Sequence, residues 1–147
     1  DDMHARFSAK SRTYRYYIHT HKTPFSRHYS LETHYRLDFD IMNLAASHLL
    51  ETHDFAAFCK AGSDVKTTIC HVFRASWVEQ SRGEWYFEIT ADRFLRNMVR
   101  AVVGTLVDVG RGRLSLEEFK AIIESRRRSN ARESMPPQAL FLEDITY

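Results

Sequence analysis

The sequence has little cysteine, proline or glycine, and each scarcity excludes something. Cys59 and Cys70 are the only cysteines and form no CxxC pair, so there is neither a disulfide scaffold nor a thiolate metal motif. Two unpaired thiols fit a reducing cytoplasm. The five glycines form no glycine-rich phosphate loop ahead of a helix, and no GxSxG or HExxH occurs. His19 and His21 have a spacing that could hold a metal but lack an acidic or thiol partner nearby, so no metal is expected. No apolar run approaches the roughly 20 residues of a membrane span, and no signal peptide opens the chain. Neither membrane insertion nor export is therefore expected. The chain starts at Asp1-Asp2-Met3, which suggests a piece of a longer protein.

What is present is apolar bulk and arginine. The 147 residues are 44% hydrophobic and 13% aromatic, enough for one well-packed domain. The net charge is only +2, but residues 93–132 hold ten basic and four acidic side chains, and arginine outnumbers lysine 16 to 5. The planar guanidinium fork suits phosphate and base stacking better than an ammonium does. A nucleic-acid partner is one reading and a solvated basic face is the other.

The elements read as α+β with a mainly antiparallel sheet flanked by helices. Residues 12–20, RTYRYYIHT, alternate as a strand, with Tyr14, Tyr16 and Ile18 on one face and Arg15, Tyr17 and His19 on the other. Pro24 marks a loop, and residues 34–39 suggest a short strand. Asp40 is placed as the cap of a helix to about Leu50, with Ile41, Leu44, Ala45 and His48 on its inner face. A helical turn at residues 54–60 and a polar loop over residues 61–68 come next. Residues 69–79 and 85–91 flank Gln-Ser-Arg-Gly as a hairpin.

Residues 93–106, RFLRNMVRAVVGTL, read as one helix capped by Asp92. At about 100° per residue, Arg93, Arg96 and Arg100 fall in a sector of roughly 60°, on the line of Asn97 and Gly104. The rest of the circumference is apolar. That stripe predicts an edge open to a cleft, with Gly104 leaving space beside it. Snorkelling or pairing with core carboxylates serves the geometry equally well. GRGR at residues 110–113 closes the helix, and Ser115 to Glu118 has capping-box spacing for another to about Ser125. Then comes an arginine-rich loop, with Arg127 and Arg128 as exposed cations, closed by Pro136-Pro137 and followed by a final strand. Asp54 and Asp92 read as helix caps and Asp108 as an ion-pair partner. Arg6 beside Phe7, and the interleaved arginines and tyrosines of residues 12–17, fit base stacking and phosphate contact; core packing is the commoner fate of strand tyrosines.

Four stretches carry a resemblance: HARFSAKSRTYRYYI, HDFAAFCKAGSDVKTT, FEITADRFLRNMVRAVVGTLVDVGRG and PPQALFL. In order, they resemble the second half of the tRNA pseudouridine synthase A family. The resemblance implies the pseudouridine synthase fold, here a ferredoxin-like or RRM-like half, as one domain over residues 1–147 without its N-terminal partner. It implies isomerisation of uridine to pseudouridine in the tRNA anticodon stem–loop, with no metal or organic cofactor, by a cytoplasmic homodimer. The family's nucleophile is an aspartate in an Arg-Thr-Asp-Ala-Gly-type motif, which this chain lacks. The fragment alone is therefore expected to be inactive. Tyr14 matches the tyrosine that stacks on the flipped uracil. Arg100 matches the arginine that pairs with the aspartate, and Leu140 the apolar wall of the uracil pocket. Met3, His4, Ala5, Arg6 and Phe7, with Gly62, Ser63, Asp64, Val65 and Lys66, match RNA-contacting segments, and Arg93 and Arg96 flank the same cleft. Ala139 departs from the family's usual Gly-Leu-Tyr-Leu. The alternatives are a stand-alone RNA-binding module and a dimerisation unit.

Overall fold

The computed structural model describes residues 10–20 and 29–147. The segment with Arg6 and Phe7, and Pro24, lie outside the described residues. Strand β1, Ser11–His19, is the spine of the sheet. It pairs antiparallel with β4, Glu84–Ala91, which pairs antiparallel with β3, Val72–Ser81. On its other side β1 takes two partners. The final strand β5, Leu140–Thr146, runs antiparallel along residues 11–16, and the two-residue β2, Leu31–Glu32, runs parallel at Ile18 and His19.

Alternation along β1 decides what each face carries. Tyr14, Tyr16 and Ile18 sit opposite Ile89, Phe87 and Trp85 of β4. The other face carries Arg15, Tyr17 and His19 opposite Glu88, Tyr86 and Glu84. The β3–β4 hairpin turns at Gly83, whose φ of +76° is the left-handed value such a turn needs. On the edge strand β3, Asn43 reaches over from a helix. Its amide donates to the Trp77 carbonyl at 3.3 Å, and its carbonyl accepts from the Trp77 N–H at 2.6 Å.

Three helices pack on the Tyr16 face. Helix α1 is Phe39–Ser47, α2 is Met98–Gly110 and α3 is Leu116–Ser125. The core between them and the sheet includes Tyr16, Ile18, Met42, Leu49, Phe58, Phe87, Val102, Leu106 and Phe119, all fully buried. Helix α3 opens on the expected capping box between Ser115 and Glu118. No helix among the described residues is long and apolar enough to cross a membrane.

Several expectations are corrected. Residues 34–39 form no strand; the short strand lies just before them. Asp38, not Asp40, caps α1, because its Oδ1 accepts from the Asp40 and Ile41 amides. The inner face differs as well: Leu44 points outward at 57% exposure, and Met42 and Ala46 are buried together with the expected Ala45. Asp92 caps no helix; it accepts from the His71 amide at 2.8 Å and pairs with the His71 ring. Most important, α2 does not start at Arg93. Asn97 takes a left-handed φ of +68°, and helix begins only at Met98. Arg93 and Arg96 therefore do not form a helical stripe with Arg100.

Candidate active site

Helix α2 presents one face to the segment 131–136, which lies along it as a strap. Positions 100, 104 and 108 meet the strap at four-residue steps of one helix face, with Thr105 beside them and Asn97 just before the helix. The Asn97 side-chain amide donates to Ser134 Oγ. The Met135 amide donates to the Arg100 carbonyl at 3.1 Å, and Arg100 Nε donates to the Met135 carbonyl at 2.7 Å. A Cβ on Gly104 would stand 2.0 Å from the Glu133 carbonyl oxygen. Thr105 Oγ1 accepts from the Arg132 amide at 3.2 Å, and Arg132 Nε binds Asp108 at 2.7 Å. The edge read as opening onto a cleft is thus largely covered by the chain's own backbone. The place a Gly104 Cβ would take is filled by the strap's Glu133 carbonyl.

The strap also reaches the sheet. The Tyr16 hydroxyl donates to the Pro136 carbonyl at 2.7 Å, next to the carbonyl that holds Arg100. Burial raises the Tyr16 phenol above its ordinary value, and the Arg100 cation opposes that rise. Tyr14 lies two residues back on the same face, half-buried, with its ring 4.9 Å from Phe94 at an 84° edge-to-face angle. Its hydroxyl makes no hydrogen bond among the described residues. Leu140 stands opposite Tyr16, and Leu142 opposite Tyr14 with 47% exposure. Tyr14, Arg100 and Leu140 thus belong to one neighbourhood. Arg100 has no carboxylate partner among the described residues.

The residues before α2 build a second, adjoining surface. Arg93 Nη1 donates to the carbonyls of Thr67 and Ile69 at 3.0 and 3.3 Å. The Lys60 amide donates to the Arg96 carbonyl at 3.1 Å. These bonds dock the polar loop containing Gly62, Ser63, Asp64, Val65 and Lys66 beside Arg93 and Arg96. Gly62 has φ +78° with nothing near its missing Cβ, and Lys66 and Arg96 are exposed. Phe94, between these arginines, touches Tyr14, so the two surfaces are continuous. Met3, His4 and Ala5, like Arg6 and Phe7, fall outside the described residues.

The carboxylates mostly take the structural roles their positions suggest. Asp54 accepts from the Ala56 amide and the Thr68 hydroxyl and lies 3.4 Å from Arg126. Asp108 holds Arg132. Arg128 is not a free surface cation; it donates to Ser134 Oγ at 3.1 Å. The sequence placed Asn97 on the arginine line without giving it a role, and did not point to Phe94, Ser134 or Met135. The one local signal was Pro136 itself, since the residue before a proline is pushed to extended backbone and its carbonyl is left for an outside donor.

Residues 45–147 match the family described as tRNA pseudouridine synthase. The chain is 52% identical over 146 residues to the tRNA pseudouridine synthase A of Bacteroides fragilis, covering 99% of this chain and 58% of that protein. It is 52% identical over 147 residues to that of Porphyromonas gingivalis, again covering 99% of this chain and 58% of the relative. The Bacillus subtilis protein of the same name is 40% identical over 149 residues, covering 100% of this chain and 60% of its own length. The chain therefore spans a little over half the length of these relatives.

Proposed function

The chain belongs to the tRNA pseudouridine synthase family, and from that premise we propose that it is the C-terminal half of an enzyme converting uridine to pseudouridine in the tRNA anticodon stem–loop. The observation that carries this reading is Arg100, a cation held by a backbone carbonyl and lacking a carboxylate among the described residues. Its neighbourhood is completed by an aspartate from the part of the protein beyond this chain. Arg100 holds that carboxylate ionised and oriented.

The other residues follow from the chemistry. A stacked base must leave the helix before its glycosidic bond can be cut and remade. The Tyr14 ring stacks on the extruded uracil and replaces part of the lost stacking, about 1–3 kcal/mol per base. Leu140 supplies an apolar wall against which the detached ring turns. Lys66, Arg93, Arg96 and the loop from Gly62 contact RNA backbone. No metal or organic cofactor enters this reaction. The whole enzyme is a cytoplasmic homodimer; buried, unpaired Cys59 and Cys70 fit that compartment.

The test is single-turnover kinetics on tRNA beside a filter-binding measurement, using the whole protein. Arg100→Lys keeps charge but loses the fork; it slows the chemical step and leaves tRNA affinity nearly unchanged. Tyr14→Ala slows turnover while circular dichroism stays native. The 147-residue chain alone forms no pseudouridine. An Arg100→Lys enzyme with weakened binding and a normal rate would make this arginine a phosphate contact and sink the reading.

A further inference from the structure

We propose that Asn97, acting through Ser134, is a positioning residue for Arg100. This rests on the active-site reading of Arg100 given above. Asn97 occupies the place of a helix N-cap, where an asparagine side chain ordinarily binds the first amides of the helix. Here it makes no such bond. Its backbone is left-handed at φ +68° and ψ 8°, a conformation that costs energy in a residue with a Cβ. That turn releases the side chain sideways to Ser134 Oγ.

Ser134 is the residue before Met135, and Met135 grips Arg100 from both sides. Its amide takes the Arg100 carbonyl and its carbonyl takes Arg100 Nε. The orientation of the guanidinium thus depends on where the strap lies along α2. At the far end of the strap the register is set by Gly104, Thr105 and Asp108. At the Arg100 end two contacts flanking Met135 set it: the Tyr16 hydroxyl on the Pro136 carbonyl, and the hydroxyl of Ser134, bound by Asn97 and by Arg128. Asn97 touches no reacting group; it acts by holding the carbonyl that aims Arg100.

Asn97→Gly is the decisive variant, because glycine accepts the left-handed backbone without strain and removes only the amide. In the whole protein it lowers the single-turnover rate about 10- to 100-fold, the scale of a small misplacement of a catalytic group. Affinity for tRNA and the thermal midpoint stay near wild type. The acid limb of the pH–rate profile moves to higher pH, because a poorly aimed cation stabilises the carboxylate less. Ser134→Ala gives the same shift, Ser134→Thr restores the rate, and the double variant is no slower than the slower single. An Asn97→Gly enzyme with normal rate and acid limb, beside an Arg100→Lys enzyme that is slow, overturns the positioning role and leaves the active-site reading intact. If Arg100→Lys is also fast, both fall. A variant whose melting point falls while its rate per folded molecule is normal makes Asn97 a fold residue only.

Discussion

Two arginine-rich stretches, residues 93–100 and 126–132, look alike in sequence and end up against the same helix, yet they are used in opposite ways. In the later stretch three of the four arginines have structural partners, and Arg127 is exposed. Arg126 faces Asp54, Arg128 holds Ser134, and Arg132 binds Asp108. In the earlier stretch no arginine meets a carboxylate among the described residues. Arg93 and Arg100 bind backbone carbonyls, and Arg96 projects to solvent. A carbonyl orients a guanidinium without cancelling its charge. Arg128 and Arg132 brace the strap, whereas the earlier group keeps charges that no carboxylate matches among the described residues. Charge density alone does not separate these uses, whereas the identity of each partner does.

The strongest way to break the contrast is at Gly104. In Gly104→Ala the new Cβ must push the Glu133 carbonyl aside, and the expected loss is about 3 kcal/mol in urea unfolding, with a slower chemical step because Met135 moves too. Unchanged stability would show that the strap is not seated as described. Next is Arg132→Ala, which removes a part-exposed pair with Asp108 and costs about 1 kcal/mol. Its salt dependence of tRNA binding should match wild type, since this charge is already matched; a shallower slope would move Arg132 into the RNA-facing group.

A third carboxylate sharpens the rule from the other face of the sheet. Burial pushes the Glu88 carboxyl up, but hydrogen bonds from Arg74 and Arg15 outweigh burial and hold it below its ordinary 4.5. A lowered folded-state value means the stabilisation is complete above that ordinary value and fades as pH falls through the folded one. Glu88→Gln should therefore be less stable than wild type at neutral pH, and the gap should narrow in acid. A gap independent of pH would detach Glu88 from its arginines. The smallest effect is expected at Arg96. Arg96→Ala should leave stability untouched and reduce the salt slope of tRNA binding by roughly one phosphate, while Arg126→Ala should not change the slope.

Local signals were legible in the sequence wherever neighbours decide the outcome. The two faces of β1, the hairpin at Gly83, the Ser115 capping box and the stop at residues 110–113 all rest on contacts within a few positions. The family's motifs were legible too. Most of what failed needed distant partners. Apolar periodicity runs unbroken from Phe94 to Leu106, so nothing nearby announces the turn at Asn97, whose side chain is bound to Ser134, 37 residues on. The two-residue β2 is defined only by its pairing with β1. The covered face of α2 could not be foreseen, because a glycine in a helix marks close approach without saying by what. Asp40 reads as the cap, whereas Asp38, two residues earlier, takes that role, and the core receives Met42 rather than Leu44.

The grip of Asn43 on Trp77 bears on what the open rim of the sheet can recruit. A sheet invites unwanted strands at its rim, where backbone groups have no partner. At the β3 rim a helix side chain occupies both groups of one residue, as a neighbouring strand would. A strand approaching there would have to displace that amide, and the guarding residue precedes in synthesis the strand it guards.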